Sequence, residues 1–240
     1  MKTYFVVSDI HSFYNEFIEA LNLSGFDKNN EEHILISLGD ACDRGPDSVS
    51  VLSFLLSLPK NRRILILGNH EDLMNDAIKR QEFLLHDLHN KTNRTVFQLT
   101  NEFFEPLALK MMKTNELWNN YIESCVDFYE LGKYVFVHGW IPNTYDDNWK
   151  TGSWLKARWY NCFDEWHKGN ILKNKVIVAG HIHTSYGHSK YHNNGCEFYD
   201  DDSNKLPCFD IFYDEGIIAI DACTAYTKKV NVLVLHEEDL

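Results

Sequence analysis

Ile34-Leu35-Ile36-Ser37-Leu38-Gly39-Asp40-Ala41-Cys42-Asp43-Arg44-Gly45 begins as a short apolar run and ends in glycine and charge. The run Ile34–Leu38 is too short and too rich in branched aliphatic residues for a helix. It reads as a buried strand. The same pattern recurs on both sides. Tyr4–Val7 ends in Ser8-Asp9-Ile10-His11, and Ile64–Leu67 ends in Gly68-Asn69-His70-Glu71. Tyr134–Val137 ends in His138-Gly139, and Val176–Ala179 ends in Gly180-His181. Ile217–Ile220 and Val230–Leu235 read as two closing strands.

Amphipathic stretches lie between these runs. In Glu16–Leu23, Phe17, Ile18 and Leu21 share a helical face, and Gly25 is the expected stop. In Ser48–Leu58, Val49, Leu52 and Leu56 are expected to do the same, behind Pro46 near the helix start. Strands alternating with helices define an α/β fold. In open α/β sheets, sites form past the carboxyl ends of strands. Here separate strands each deliver Asp, Asn or His at that end, and such a cluster is costly to bury without a counter-charge. The chain, at 240 residues, is expected to be one domain over 1–240. Residues 72–130, rich in Lys, Asn, Glu and Phe, are expected to form a helical cap or insertion within it. Residues 186–215, with Asn193-Asn194-Gly195 and Asp200-Asp201-Asp202, read as a long hairpin or loop.

Composition narrows the function. Lys and Arg number 23 against 35 Asp and Glu, a net charge of −12. Such a surface does not attract phosphate backbones or anionic lipid, so general nucleic-acid and membrane binding are not expected. The six cysteines include no C-x-x-C pair, and they read as free thiols of a reducing compartment. The apolar run near the start is too short for a signal sequence, and no stretch approaches the ~18 apolar residues of a membrane span. A cytoplasmic location is the expectation.

The blocks Asp9-Ile10-His11, Gly39-Asp40-Ala41-Cys42-Asp43-Arg44-Gly45 and Gly68-Asn69-His70-Glu71, in that order, resemble the phosphoprotein phosphatase family of calcineurin-like metallophosphoesterases. Val137-His138-Gly139 and Gly180-His181 are similar to that family's later metal-binding histidines. The likeness spans Asp9 to Asp221. It is strongest to the bacterial and phage protein phosphatases and to their relatives that cleave symmetrical dinucleoside tetraphosphates. It implies a four-layer sandwich of two mixed β-sheets flanked by helices, with a two-metal site at the strand ends.

Oxygen and imidazole donors without thiolate suit manganese, iron or zinc, and six of them suit two ions. By resemblance, Asp9 and His11 hold the first metal, Asp40 bridges both, and Asn69, His138 and His181 complete the second. Manganese is the expected metal. Arg44 resembles the family's phosphate clamp, where a planar guanidinium gives bidentate bonds. Its rival role is a salt bridge to Asp40 or Asp43. His70 resembles the general acid, and Asp43 the carboxylate that keeps it protonated. Arg158, in Ser153-Trp154-Leu155-Lys156-Ala157-Arg158-Trp159, is the candidate second clamp.

Two departures stand out. Gly180-His181-Ile182-His183 carries an extra histidine, similar to the G-H-x-H of the wider metallophosphoesterase superfamily, whose second histidine binds the first metal. His183 is therefore a further ligand candidate, with a loop histidine as the other reading. Trp140 follows His138-Gly139, either stacking near the substrate or simply packing. Asp221 is expected to orient a ligand, and His86, His89, His167, His188 and His192 to lie on the surface.

The expected reaction is phosphoester hydrolysis by direct attack of a metal-activated water. The leading substrate is phosphoserine or phosphothreonine in protein, because Glu71 rather than Asp follows Gly68-Asn69-His70. A symmetrical dinucleoside tetraphosphate, or another small phosphoester, is the alternative. An inactive metal-binding interaction module is disfavoured, since His70, Asp43 and Arg44 are all retained.

Overall fold

The computed structural model describes residues 1–143, 148–198 and 205–240. Asp200, Asp201 and Asp202, read above as part of a loop, lie outside the described residues. In chain order the strands are β1 (Thr3–Val7), β2 (His33–Ser37), β3 (Arg63–Ile66), β4 (Cys125–Val126) and β5 (Tyr129–Leu131). They continue as β6 (Tyr134–Phe136), β7 (Val176–Ala179), β8 (Phe212–Asp214), β9 (Ile217–Ala219) and β10 (Leu233–His236). The helices are α1 (Tyr14–Leu23), α2 (Ser48–Ser57), α3 (Asn69–Arg80), α4 (Leu85–Asn90), α5 (Thr92–Thr100) and α6 (Glu105–Met112). After these come α7 (Glu116–Ser124), α8 (Trp154–Ala157), α9 (Cys162–His167), α10 (Thr184–Lys190) and α11 (Thr224–Thr227).

Two mixed sheets result, in the orders β10-β1-β2-β3-β4 and β5-β6-β7-β9-β8. In the first, β1 to β4 run parallel and β10 pairs antiparallel with β1. In the second, β6, β7 and β9 run parallel between antiparallel edges. Alternate side chains of each strand enter different layers, as a period of two requires. Tyr4 and Val6 of β1 meet Phe136, Val178 and Ile218 of the second sheet. Phe5 and Val7 face the helices instead, with Phe17, Leu52, Met74 and Leu109. Val135, Ile177 and Ile217 point to the outer layer, around Trp140, Phe163 and Phe212. This is the expected pair of mixed sheets flanked by helices.

Local sequence explains the ends. Gly25, at φ +86°, follows α1 and lets Phe26 N–H reach back to Leu21 O at 2.9 Å. The Asp47 side chain caps α2 by accepting from Ser50 N–H at 2.9 Å. The buried face of α2 differs from the expected one. Ser48, Val51, Leu52 and Leu55 are buried, while Val49 is exposed. Ser50, Ser53 and Ser57 share the side opposite the buried one, so the polar stripe rather than the Val49, Leu52 and Leu56 set marks the inner face. Leu52→Ala would cost about 2–5 kcal/mol, as for any fully buried leucine. The last strand is shorter than Val230–Leu235, since β10 begins only at Leu233.

Residues 72–130 are helical as far as Ser124 and end in strands β4 and β5. The helical run opens earlier, at Asn69 inside the Gly68-Asn69-His70-Glu71 block. Met74, Ala77, Val96, Leu109, Met112 and Tyr121 of these helices share one core with β1, β2 and β3. The 186–215 stretch opens on α10 rather than on a hairpin. Among its described residues it holds one isolated bridge, Cys196 to Pro207, before β8.

Candidate active site

The parallel strands deliver their polar ends to one place. Asp9, His11 and Ser12 after β1 have φ of 50°, 50° and 63°, and Asp40, Asp43 and Arg44 after β2 have 53°, 72° and 60°. The Asp9-Ile10-His11 pair meets through a left-handed turn, not through the alternation of an extended chain. Non-glycine residues in this region store strain and are held by surrounding contacts. The two turns are laced together: His11 N–H donates to Asp40 O at 2.9 Å, and Ser12 N–H to Ala41 O at 2.8 Å. Glycines permit the close approach. A Cβ on Gly68 would collide with the Asp40 carboxylate, and one on Gly180 with Ser8 and Asp9.

Two groups of donors share Asp40. His11, Asp40 and His70 form one, and Asp40, His138 and His181 the other; within each, the ligand atoms lie within 4.8 Å of one another. Asp9 Oδ1 is 3.9 Å from His11 Nε2, and Asp9 Oδ2 accepts from His181 N–H at 3.0 Å. Asn69 Oδ1 is 2.8 Å from His138 Nε2. Backbone carbonyls set the tautomers. His11 Nδ1 faces Cys42 O at 3.0 Å, and His138 Nδ1 faces Leu38 O at 2.7 Å. Each therefore donates from Nδ1 and turns the Nε2 lone pair inward, as a metal-binding histidine must.

The electrostatics also fit cations. Asp9, Asp40, Asp43, Glu71 and Asp221 are all buried. Burial raises the Asp9 carboxyl, and the neighbouring Asp40 adds to it. Burial and the nearby Asp9 push Asp221 well above the usual carboxylate range. Burial, with Arg44 and His70 nearby, lowers the His11 imidazole, and burial with His138 lowers His181 to about 3. Neutral imidazoles beside crowded carboxyls lack one thing, positive charge, and divalent ions supply it. Asp9, His11, Asp40, Asn69, His138 and His181 are the residues that fit such ions.

His70 stands apart, because both its ring nitrogens are engaged. Nδ1 lies 2.8 Å from Asp43 Oδ2, and Nε2 lies 3.2 Å from Arg44 Nη2. Burial alone would lower this imidazole, but the Asp40 and Asp43 carboxylates outweigh it and lift its pKa to about 9. Asp43 is itself held by two threonines that motif reading missed. Thr92 Oγ1 donates to Oδ2 at 2.7 Å and Thr95 Oγ1 to Oδ1 at 3.0 Å. Both come from α5, far along the chain, and nothing local to them signals it. Asn90, just before them, accepts the Arg44 N–H at 2.9 Å. Arg44 forms no salt bridge to Asp40 or Asp43; its side-chain hydrogen bond is to His70.

Other expected site residues fall elsewhere. Arg158 is buried, with Nη1 on Asp72 at 2.7 Å and Nη2 paired to Asp127. His183 Nδ1 meets Ser185 Oγ at 2.9 Å, and its ring lies against Phe198. The structure does not bring it into either donor group. The chain is left-handed at His181, φ 66°, which breaks the alternation that would have aimed both histidines alike. Trp140 is wholly buried, with its indole N–H on Asn170 O at 2.7 Å, so it packs. Asp221 Oδ1 accepts from Cys223 N–H at 2.7 Å. Glu71 accepts from the N–H groups of Asp40, Ala41 and Gly68 at 3.0, 3.0 and 2.8 Å. It is a buried strut of the loops. His188, expected on the surface, is buried beside Phe212 with Nε2 on Asp210 O at 3.0 Å.

The buried donor cluster, with an arginine and a carboxylate-paired histidine beside it, gathers at the strand ends the residues that the motifs single out. A family model described as calcineurin-like phosphoesterase matches residues 2–219, and the chain belongs to that family. The symmetrical bis(5'-nucleosyl)-tetraphosphatase of Buchnera aphidicola subsp. Acyrthosiphon pisum (strain Tuc7) is 46% identical over 71 residues, 30% of this chain and 24% of that protein. The match thus spans about a quarter of the length of such curated relatives. Among solved structures, that of a candidate diadenosine tetraphosphatase aligns with TM-score 0.59 at 15% identity, over 98% of this chain and 89% of that one. A cold-active protein tyrosine phosphatase of a psychrophilic Shewanella species aligns with TM-score 0.58 at 16% identity, over 98% and 76%. At these identities the structures share the fold.

Proposed function

We propose that this phosphoesterase hydrolyses dinucleoside polyphosphates at the Asp9, His11, Asp40, Asn69, His138 and His181 cluster. The observation that carries the chemistry is the Asp43–His70–Arg44 array set against Asp40. The substrate class rests on the likeness to the symmetrical tetraphosphatases. The feature that favoured a phosphoprotein, Glu71, is a buried strut of the loops.

Divalent ions, with manganese first among those the donor set suits, would supply Lewis acidity toward a phosphoryl oxygen and an activated water. The protein's own groups do the rest. Arg44 grips the phosphoryl oxygens in a fork that strengthens as charge builds in the transition state. A guanidinium only donates, so the Arg44 contact and a proton on His70 Nε2 exclude one another. Once phosphate draws Arg44 away, Nε2 takes up a proton from solvent, which its raised pKa favours, and can pass it to a leaving oxygen that needs one. Asp43, fixed by Thr92 and Thr95, accepts from Nδ1 and holds the ring in line.

Purified protein loaded with manganese should cleave diadenosine tetraphosphate to two nucleoside diphosphates, with kcat/KM at least about tenfold above that for a phosphoserine peptide. Turnover of the peptide alone would reverse the assignment in favour of a protein phosphatase.

A further inference from the structure

The chain has six tryptophans. Trp118, Trp140 and Trp154 are buried, and Trp149 and Trp166 are half-buried against the outer core. Trp159 is different: 49% of its surface is exposed. Among the described residues its indole N–H has no hydrogen-bond partner, as is true of half-buried Trp149, whereas those of Trp118, Trp140, Trp154 and Trp166 are satisfied. Its ring stands 6.0 Å from that of His181, at 82°.

The mount is shared with the site. Trp140 N–H donates to Ala157 O at 3.0 Å, so the loop carrying His138 is tied to the end of α8. Gly139 lies against the Ala157 and Arg158 backbone so closely that a Cβ would collide with it. Trp159 N–H donates to Lys156 O at 3.0 Å and fixes the turn. Trp159 is thus anchored to the His138 loop and abuts the His181 ring. A large aromatic surface left in water is unfavourable unless something flat covers it. The ring thus stands at the edge of the Asp40, His138 and His181 donor group.

We propose that Trp159 is the stacking surface for the base of the nucleotide whose phosphate chain occupies the site, a specificity determinant rather than a catalytic residue. This rests on the dinucleoside polyphosphate reading above. The test compares ADP with inorganic pyrophosphate as competitive inhibitors of aryl phosphate hydrolysis, at fixed free manganese, in wild type, Trp159→Ala and Trp159→Phe. Diadenosine tetraphosphate turnover by wild type is measured alongside. Base stacking on an aromatic side chain corresponds to about a 5- to 100-fold preference. Wild type should prefer ADP by that factor, Trp159→Ala should lose the preference, and Trp159→Phe should keep most of it. An undiminished preference in Trp159→Ala, with wild type cleaving the dinucleotide, overturns the stacking role and leaves the functional reading standing. Wild type that does not cleave the dinucleotide overturns both.

Discussion

The turn after β2 and the end of α8 each deliver an arginine toward the catalytic end of the sheets, but into different company. Arg44 is half-buried, and among the described residues its one side-chain hydrogen bond is to Nε2 of His70. Arg158 is buried and already holds two carboxylates, Asp72 and Asp127. A cation without a carboxylate partner, facing a donor cluster, is poised for an anion. A cation with two partners has its charge satisfied and ties α3 to the segment after β4. The sequence motifs put both arginines at the phosphate; the structure leaves the first without a carboxylate partner and holds the second between two.

The largest effect should come from the group Arg44 touches. His70→Asn should slow an alkyl phosphate monoester by ~10²–10⁴-fold, because a poor leaving group needs its proton. It should slow diadenosine tetraphosphate much less, since a nucleoside diphosphate leaves readily. The Asp40 and Asp43 carboxylates raise the folded pKa of His70, so its acid form is complete at lower pH and lost as pH rises through the raised value. Alkyl phosphate turnover should therefore fall as pH rises through that region. Asp43→Asn, which removes a carboxylate that holds the proton, should move the limb to lower pH. A limb that stays in place in Asp43→Asn would detach the pair from the chemistry.

Next comes Arg44→Ala, with kcat/KM down ~10²–10³-fold and a thermal midpoint close to wild type. Arg44→Lys should recover only a small part, because the fork is lost. Near wild-type kinetics for the lysine variant would make Arg44 a simple charge. Arg158→Ala should reverse the balance: an activity loss of about tenfold or less, but a thermal midpoint lowered by several degrees. It leaves the largely buried Asp72 uncompensated, whereas Asp127 is partly solvated and adds little. Kinetic loss without a change in midpoint would return Arg158 to the role of clamp. Smallest of all, Asp127→Asn should cost ~1 kcal/mol or less, as an exposed pair does.

The strand ends were legible because glycine and charge punctuate each apolar run, and β1, β2, β3, β6, β7 and β9 fall where those runs predict. Asp9, His11, Asp40, Asn69, His138 and His181 stand at those punctuated ends, the family resemblance singles them out from their neighbours, and the structure brings them together. Three kinds of information were not local. The left-handed residues at Asp9 and His181 change side-chain direction without changing spacing. Thr92 and Thr95 reach Asp43 across about fifty residues. Whether an arginine is already paired, as Arg158 is, depends on carboxylates from other elements.

Metal content read by mass spectrometry on manganese-loaded, desalted protein tests the central claim most directly. Wild type should carry about two ions per chain, as a shared carboxylate between two donor groups implies, and chelation should abolish hydrolysis. Asp40→Asn should lose both bound metal and activity while remaining folded. Full activity after chelation, or an unchanged metal content in Asp40→Asn, would contradict the account.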